Sequence, residues 1–219
     1  MANETNEVNL GELVPLLSSE RLRPYRDSTH DLPGAIKLYE WNTSVSGAMY
    51  EVLAGLEVIL RNALVAQLEN WHGQRPGSWY RDPRRVLAPE RHIQIVQARE
   101  RVRQLGRDET PGRVVAELSF GFWRYLLTKR YESSLWTHHL RHAFPHLQPQ
   151  SRARVEKRIR HLNRLRNRVA HHEPIHNRDL NRDHQDIITL IGWISTDAGR
   201  WVAAQSRVPA LLRARQLPS

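Results

Sequence analysis

The sequence predicts an all-α fold, a helical bundle with a short helical extension at its N-terminus. Three observations carry that prediction. Apolar residues recur at steps of three and four through most of the chain, and no stretch alternates as a half-buried strand would. The 219 residues, 40% hydrophobic with seven tryptophans, suffice for one well-buried domain. There is no cysteine, so neither disulfides nor thiolate zinc sites support the fold.

In chain order, residues 1–8 read as a loose tail, followed by short helices at 9–17 and 18–27, the second capped by Ser18 or Ser19. These form an extension covering residues 1–30. The main domain then spans 31–205. Asp31 starts a long helical region to Trp71, with a bend or break expected near Asn42–Gly47. Its second half is apolar nearly all round, so it should be central and buried. Residues 73–89, rich in Gly, Pro, Trp and Arg, read as an irregular connector. Trp71, Trp79 and Tyr80 there could stack on bases, but plugging the end of the bundle is the favoured role.

A helix at 89–105 should bury Ile93, Ile95, Val96, Val102 and Leu105. Another should run from Pro111 to Tyr131 behind Thr110, with Gly121 allowing a close helix approach. Leu135–His142 gives a short helix before a turn at 144–149. The final helix, 182–204, should bury Ile187, Ile188, Leu190, Ile191, Ile194 and Trp201. Residues 206–219 read as a basic tail.

The charge is unevenly spread. Residues 1–60 carry four Lys/Arg against nine Asp/Glu, and residues 61–219 carry 29 against 14. Between Ser151 and His172 stand seven arginines and one lysine against the single Glu156. Such density points to a polyanionic partner, RNA being the expectation. No apolar run approaches the length of a membrane span, and the acidic start is unlike a signal peptide, so a cytoplasmic protein without a membrane partner is expected.

The densest of these segments is 155-VEKRIRHLNRLRNRVAHHEPIHN-177. Val155, Ile159, Leu162, Leu165 and Val169 form its apolar stripe. Arg166 projects beside Leu162 and Val169, where a charged group needs a partner. Glu57 faces inward on the long helix with Leu53, Leu60 and Leu64. Two pairings are open: Glu57 with Arg166, Arg61 and Asn62 completing the network, or Glu57 with its own i+4 neighbour Arg61. Pro174 ends the motif helix, leaving His171 and His172 in its last turn.

Arg166-Asn167-Arg168-Val169-Ala170-His171 matches the R-N-x-x-x-H form of the Rx4–6H motif of HEPN ribonucleases, and LRNRVAHHEPI resembles their Abi-like (abortive infection) branch. The blocks IKLYEWN (36–42), LEVILRNAL (56–64), WHG (71–73) and LSFGFW (118–123) resemble the same family in the same order. The resemblance implies a HEPN-like bundle and a metal-independent endoribonuclease of phage defence or toxin-like role, leaving a 2′,3′-cyclic phosphate and needing no cofactor. It makes Arg166 and His171 the functional pair, with Asn167 orienting them. His172, Glu57, Arg61 and Asn62 are auxiliary candidates, and Arg160, Arg164 and Arg168 the RNA-binding ones.

Those residue types suit the chemistry. Histidine titrates near neutrality and can serve as base or acid, while arginine grips phosphate oxygens with two donors. Arg166 and His171 lie five residues apart, about 140° round an ideal helix, so one chain offers a divergent pair. The family's solution, a homodimer with two motif helices across a cleft, is therefore expected here. A restraining small RNA or antitoxin protein would be a further partner.

A competing string, His172-Glu173-Pro174-Ile175-His176, spells the HExxH signature of zinc proteases. Pro174 breaks the helical turn that chemistry needs, and no third ligand stands at a recognisable spacing, Asp183, His184 and Asp186 being no more than candidates. Glu173 and His176 read better as structural residues at the helix exit. The alternative function is a non-catalytic RNA-binding protein holding a regulatory or antitoxin RNA. A weaker third reading is a protein-interaction bundle, which would show no salt-sensitive RNA affinity.

Overall fold

Asn9 and Ser18 each open a short helix by accepting a backbone N–H into the side chain, from Gly11 at 3.1 Å and Arg21 at 3.2 Å. These helices, α1 (Leu10–Leu17) and α2 (Ser19–Arg26), begin the computed structural model, which describes residues 9–81 and 86–215. The sequence expectations for 1–8 and for the last four residues lie outside that range. Leu22 and Tyr25 of α2 are fully buried, so the extension is part of the domain's packing.

Asp31 caps Gly34 at 2.7 Å and starts α3 (Leu32–His72), an unbroken helix of 41 residues. The break expected at Asn42–Gly47 is absent. Asn42 spends its side-chain oxygen on the backbone N–H groups of Ile175 (2.8 Å) and His176 (3.1 Å) instead of competing for its own helix. Along α3, Val45, Met49, Val52, Leu56, Leu60, Leu64 and Leu68 are buried and form the axis of the core. Trp71, Trp79 and Tyr80 close one end of it, buried as packing residues rather than presented for stacking.

The second half is more segmented than its periodicity implies. After α4 (Pro89–Gln104), the expected 111–131 helix is divided into α5 (Pro111–Ala116), α6 (Phe120–Leu126) and a 3-10 turn at Lys129–Tyr131. Ser119 causes the division by capping Phe122. Phe122 and Trp123 are nevertheless fully buried, against Trp79. The expected short helix at 135–142 is a π turn (Glu132–Trp136) followed by a 3-10 turn (Leu140–Ala143).

On α4 only Ile95 and Val102 of the expected stripe are buried, because its main neighbour is the short α5; Ile93, Val96 and Leu105 are exposed.

The motif segment forms α7 (Arg152–Ala170), with Ser151 as its cap. The final helix is two: α8 (Leu180–Ile194) and α9 (Thr196–Gln205), separated where Ser195 caps Ala198. That break turns Val202 and Gly199 inward and leaves Trp201 exposed, against expectation. Gly199 lets α9 approach α8 closely: a Cβ there would meet the Gly192 backbone at 3.2 Å, so the close approach expected at Gly121 is found here.

The supposed basic tail contains α10 (Val208–Arg213), packed on α3 and α8 with Val208 fully buried. Trp41 Nε1 donates to the Leu211 carbonyl at 2.9 Å. No strand occurs among the described residues.

Candidate functional site

The end of α7 is shaped by three backbone hydrogen bonds. His171 N–H reaches Asn167 O (3.0 Å), His172 N–H reaches Val169 O (3.1 Å) and Glu173 N–H reaches Arg168 O (2.8 Å). The last two are the crossed pair of a Schellman motif. Its left-handed position, commonly glycine, is taken by His172 at φ 55°. The His172 carbonyl accepts from the Arg21 guanidinium on α2. Asn42 then takes the N–H groups beyond Pro174, so the chain leaves the helix along a defined path.

On this frame the sequence-predicted residues separate into two groups. Arg166 faces α3, where its Nε lies 3.8 Å from Glu57 Oε2 with both side chains about one-third to one-quarter exposed (33% and 26%). The pair is ionic without a hydrogen bond at Nε. Of the two open pairings for Glu57, the structure therefore adopts Arg166. Arg61 instead directs its Nε to Asn62 at 3.4 Å, so these two do not complete the network.

Asn167 and His171 lie on the opposite, exposed side, with Arg160 and Arg164. Positions 157, 160, 161, 164, 168 and 171 follow helical spacing and form one outer stripe of Lys, Arg and His. Arg168 is partly engaged, pairing with Glu173 at 3.1 Å. Among the described residues the His171 side chain has no hydrogen-bond partner.

His176 is buried against Tyr25, with ring centroids 4.9 Å apart and Ser28 Oγ 3.2 Å from its Nε2. Burial, reinforced by the Arg215 charge, holds its pKa below the usual histidine value. The HExxH string thus runs through a turn and into the core, not along one helical face. Among the described residues no group of three or more His, Cys, Asp or Glu could hold a metal ion. Beside the end of α7, a cleft of about 680 Å³ opens between α2, α3 and α7, lined among others by Tyr39, Asn42, Tyr50 and His172. Tyr25 also lines it, with its hydroxyl pushed up to about 12 chiefly by burial.

Sequence reasoning missed two buried charged clusters. Arg152 is 7% exposed, donates to Leu127 O at 2.9 Å and pairs with Glu156 and Glu132. Asp183, 2% exposed, accepts from Arg178 Nε at 2.9 Å and stands 2.5 Å from His161 Nε2. The i, i+4 pairing of Arg152 with Glu156 was a readable signal. The Asp183 cluster joins α7, the following loop and α8, which no local spacing reveals. No family model, curated protein or solved structure matches this chain.

Proposed function

We propose that the protein is a metal-independent endoribonuclease of HEPN type, active in phage defence or a toxin-like role, with its site completed by a second copy. The observation carrying this reading is the outer stripe of α7, which runs through Arg160, Arg164 and Arg168 to an exposed His171. On the α3-facing side of the same helix, Glu57 lies 3.8 Å from Arg166. In the proposed reaction a histidine takes the 2′-hydroxyl proton, a second protonates the leaving 5′-oxygen, and arginine steadies the phosphorane charge. One chain presents a single His171 and an Arg166 turned about 140° from it, which is why two copies related by a two-fold axis are invoked.

The test is incubation of total RNA in EDTA with wild type and with His171→Ala. Cleavage by the first and not the second is expected. Full activity of His171→Ala removes the assignment. The second reading is RNA binding without cleavage. It draws support from the His171 ring, which has no orienting partner among the described residues. Tight, salt-sensitive binding with intact RNA recovered would establish it.

A further inference from the structure

Between α7 and α8 lies a second cleft, of about 540 Å³, on the same outer side of α7 as His171. Lys157, Arg158, Arg160, Arg164, Arg178 and Arg182 line it, six cations against Asp179, Asp183 and Asp186.

The three carboxylates are already committed. Asp183 is buried and holds Arg178 and His161, Asp186 pairs with Arg158 at 2.9 Å, and Asp179 caps α8 by accepting the Arg182 N–H at 3.0 Å. Lys157, Arg160, Arg164 and Arg182 are exposed and have no ion pair among the described residues. Isolated exposed arginines are ordinary solvated groups. Here three arginines and Lys157 converge on one concavity whose floor is fixed by the buried Asp183.

His161 belongs to that floor. A carboxylate only accepts, so the 2.5 Å contact with Asp183 places the ring proton on Nε2. The Arg178 Nη2 atom, 3.2 Å from the same nitrogen, is then a second donor and makes its own bond to Asp183 at 3.1 Å. Nδ1 is left without a protein partner among the described residues, on a side chain 41% exposed.

From these arrangements we infer that the α7–α8 cleft is a phosphate-binding anchor for a single RNA strand, set back from the proposed cleavage position. The inference rests on the ribonuclease reading for its substrate. His161 and His171 are ten residues apart on α7, about 15 Å along the axis at 1.5 Å per residue. At about 3.4 Å per stacked nucleotide, a strand anchored in the cleft meets His171 roughly four nucleotides away. Arg168 lies between them on the same stripe. RNA shorter than that span engages one position or the other, not both.

The test uses the full chain, a 5′-fluorescein single-stranded RNA of about ten nucleotides, and the Lys157→Gln/Arg182→Gln double variant, measured by fluorescence anisotropy. Both positions are exposed, and thermal melts check that the fold is kept. The double variant should bind about tenfold more weakly, and its log K against log salt slope should be shallower by about 1.4, for two lost contacts. AMP and inorganic phosphate at equal concentration should not displace the RNA. Displacement by AMP as effective as by unlabelled RNA would make the ligand a mononucleotide and overturn the strand anchor. Unchanged RNA affinity in the double variant, with wild type cleaving RNA, would remove the anchor and leave the nuclease. Binding lost in the double variant, with no cleavage by wild type, would remove the nuclease and leave the anchor.

Discussion

Arg166 and Glu57 meet across the α3–α7 interface at 3.8 Å, a distance that couples their charges without a hydrogen bond at Arg166 Nε. Both are partly open to solvent, so the pair stabilises the fold by only about 0.5–1 kcal/mol. Its larger effect is on where the guanidinium points. Glu57→Gln should therefore leave the melting temperature within a few degrees and lower RNA cleavage at least as far as about tenfold. Arg166→Ala should abolish cleavage. Unchanged cleavage by both variants would place the chemistry elsewhere.

The exit of α7 offers a prediction about strain. His172 occupies a left-handed position that costs an L-residue about 1 kcal/mol. His172→Gly relieves that cost but gains unfolded-state entropy, so its stability should lie within about 1 kcal/mol of wild type. His172→Val, β-branched, should lose about 2 kcal/mol. Urea melts of the two variants check the order, and a valine variant as stable as the glycine one would contradict it.

Asn42 is 4% exposed and serves two backbone donors of the chain beyond Pro174. Asn42→Ala strands both, at a cost of roughly 3 kcal/mol. Asn42→Asp keeps the acceptor and should lose less. If alanine and aspartate are equally destabilising in chemical denaturation, the acceptor role is not what Asn42 contributes.

Asp183 should be costly to neutralise. Asp183→Asn leaves Arg178, 17% exposed, without its carboxylate, a loss of roughly 3 kcal/mol. The double change Asp183→Asn with Arg178→Met should recover part of it, and a cycle of the four melts measures the coupling.

Acid should weaken the fold through two histidines. Burial lowers the pKa of His184 and, with the Arg215 charge, that of His176. Both are neutral in the folded chain while the unfolded chain takes up protons near pH 6.5. Below that value the unfolded state binds more protons, so stability rises with pH through this window and falls as the solution is acidified. Urea midpoints at pH 5 and pH 7.5 should differ in that direction, and His184→Gln should shrink the difference.

The proposed two-fold partner is checked by mass. Light scattering should give twice the 25.6 kDa of one chain. A monomer cleaving RNA at full rate would sink the composite site.

The stripe of α7 and the start of α3 were legible in the sequence: Val155 to Val169 is buried as its spacing requires, and Asp31 opens α3 as its residue type suggests. Legibility failed where a single serine interrupts a periodic run. Ser119 and Ser195 each convert one expected helix into two, and the second break carries Trp201 to the surface. At the site, the inward turn of Arg166 was readable from its place beside Leu162 and Val169. The cleft between α7 and α8 was not, since Asp183 meets His161 from 22 residues away.

The uninterrupted length of α3 has one further consequence. A helix of 41 residues is about 60 Å long, and α2, α6, α7, α8 and α10 all rest on it. The helix is continuous between the region that receives Arg166 and the regions that receive α2 and α10. A perturbation at Trp41, where α10 is tied to the start of α3, is thus carried rigidly rather than absorbed. Hydrogen exchange should report one cooperative unit, its slowest amides in the middle of that rod.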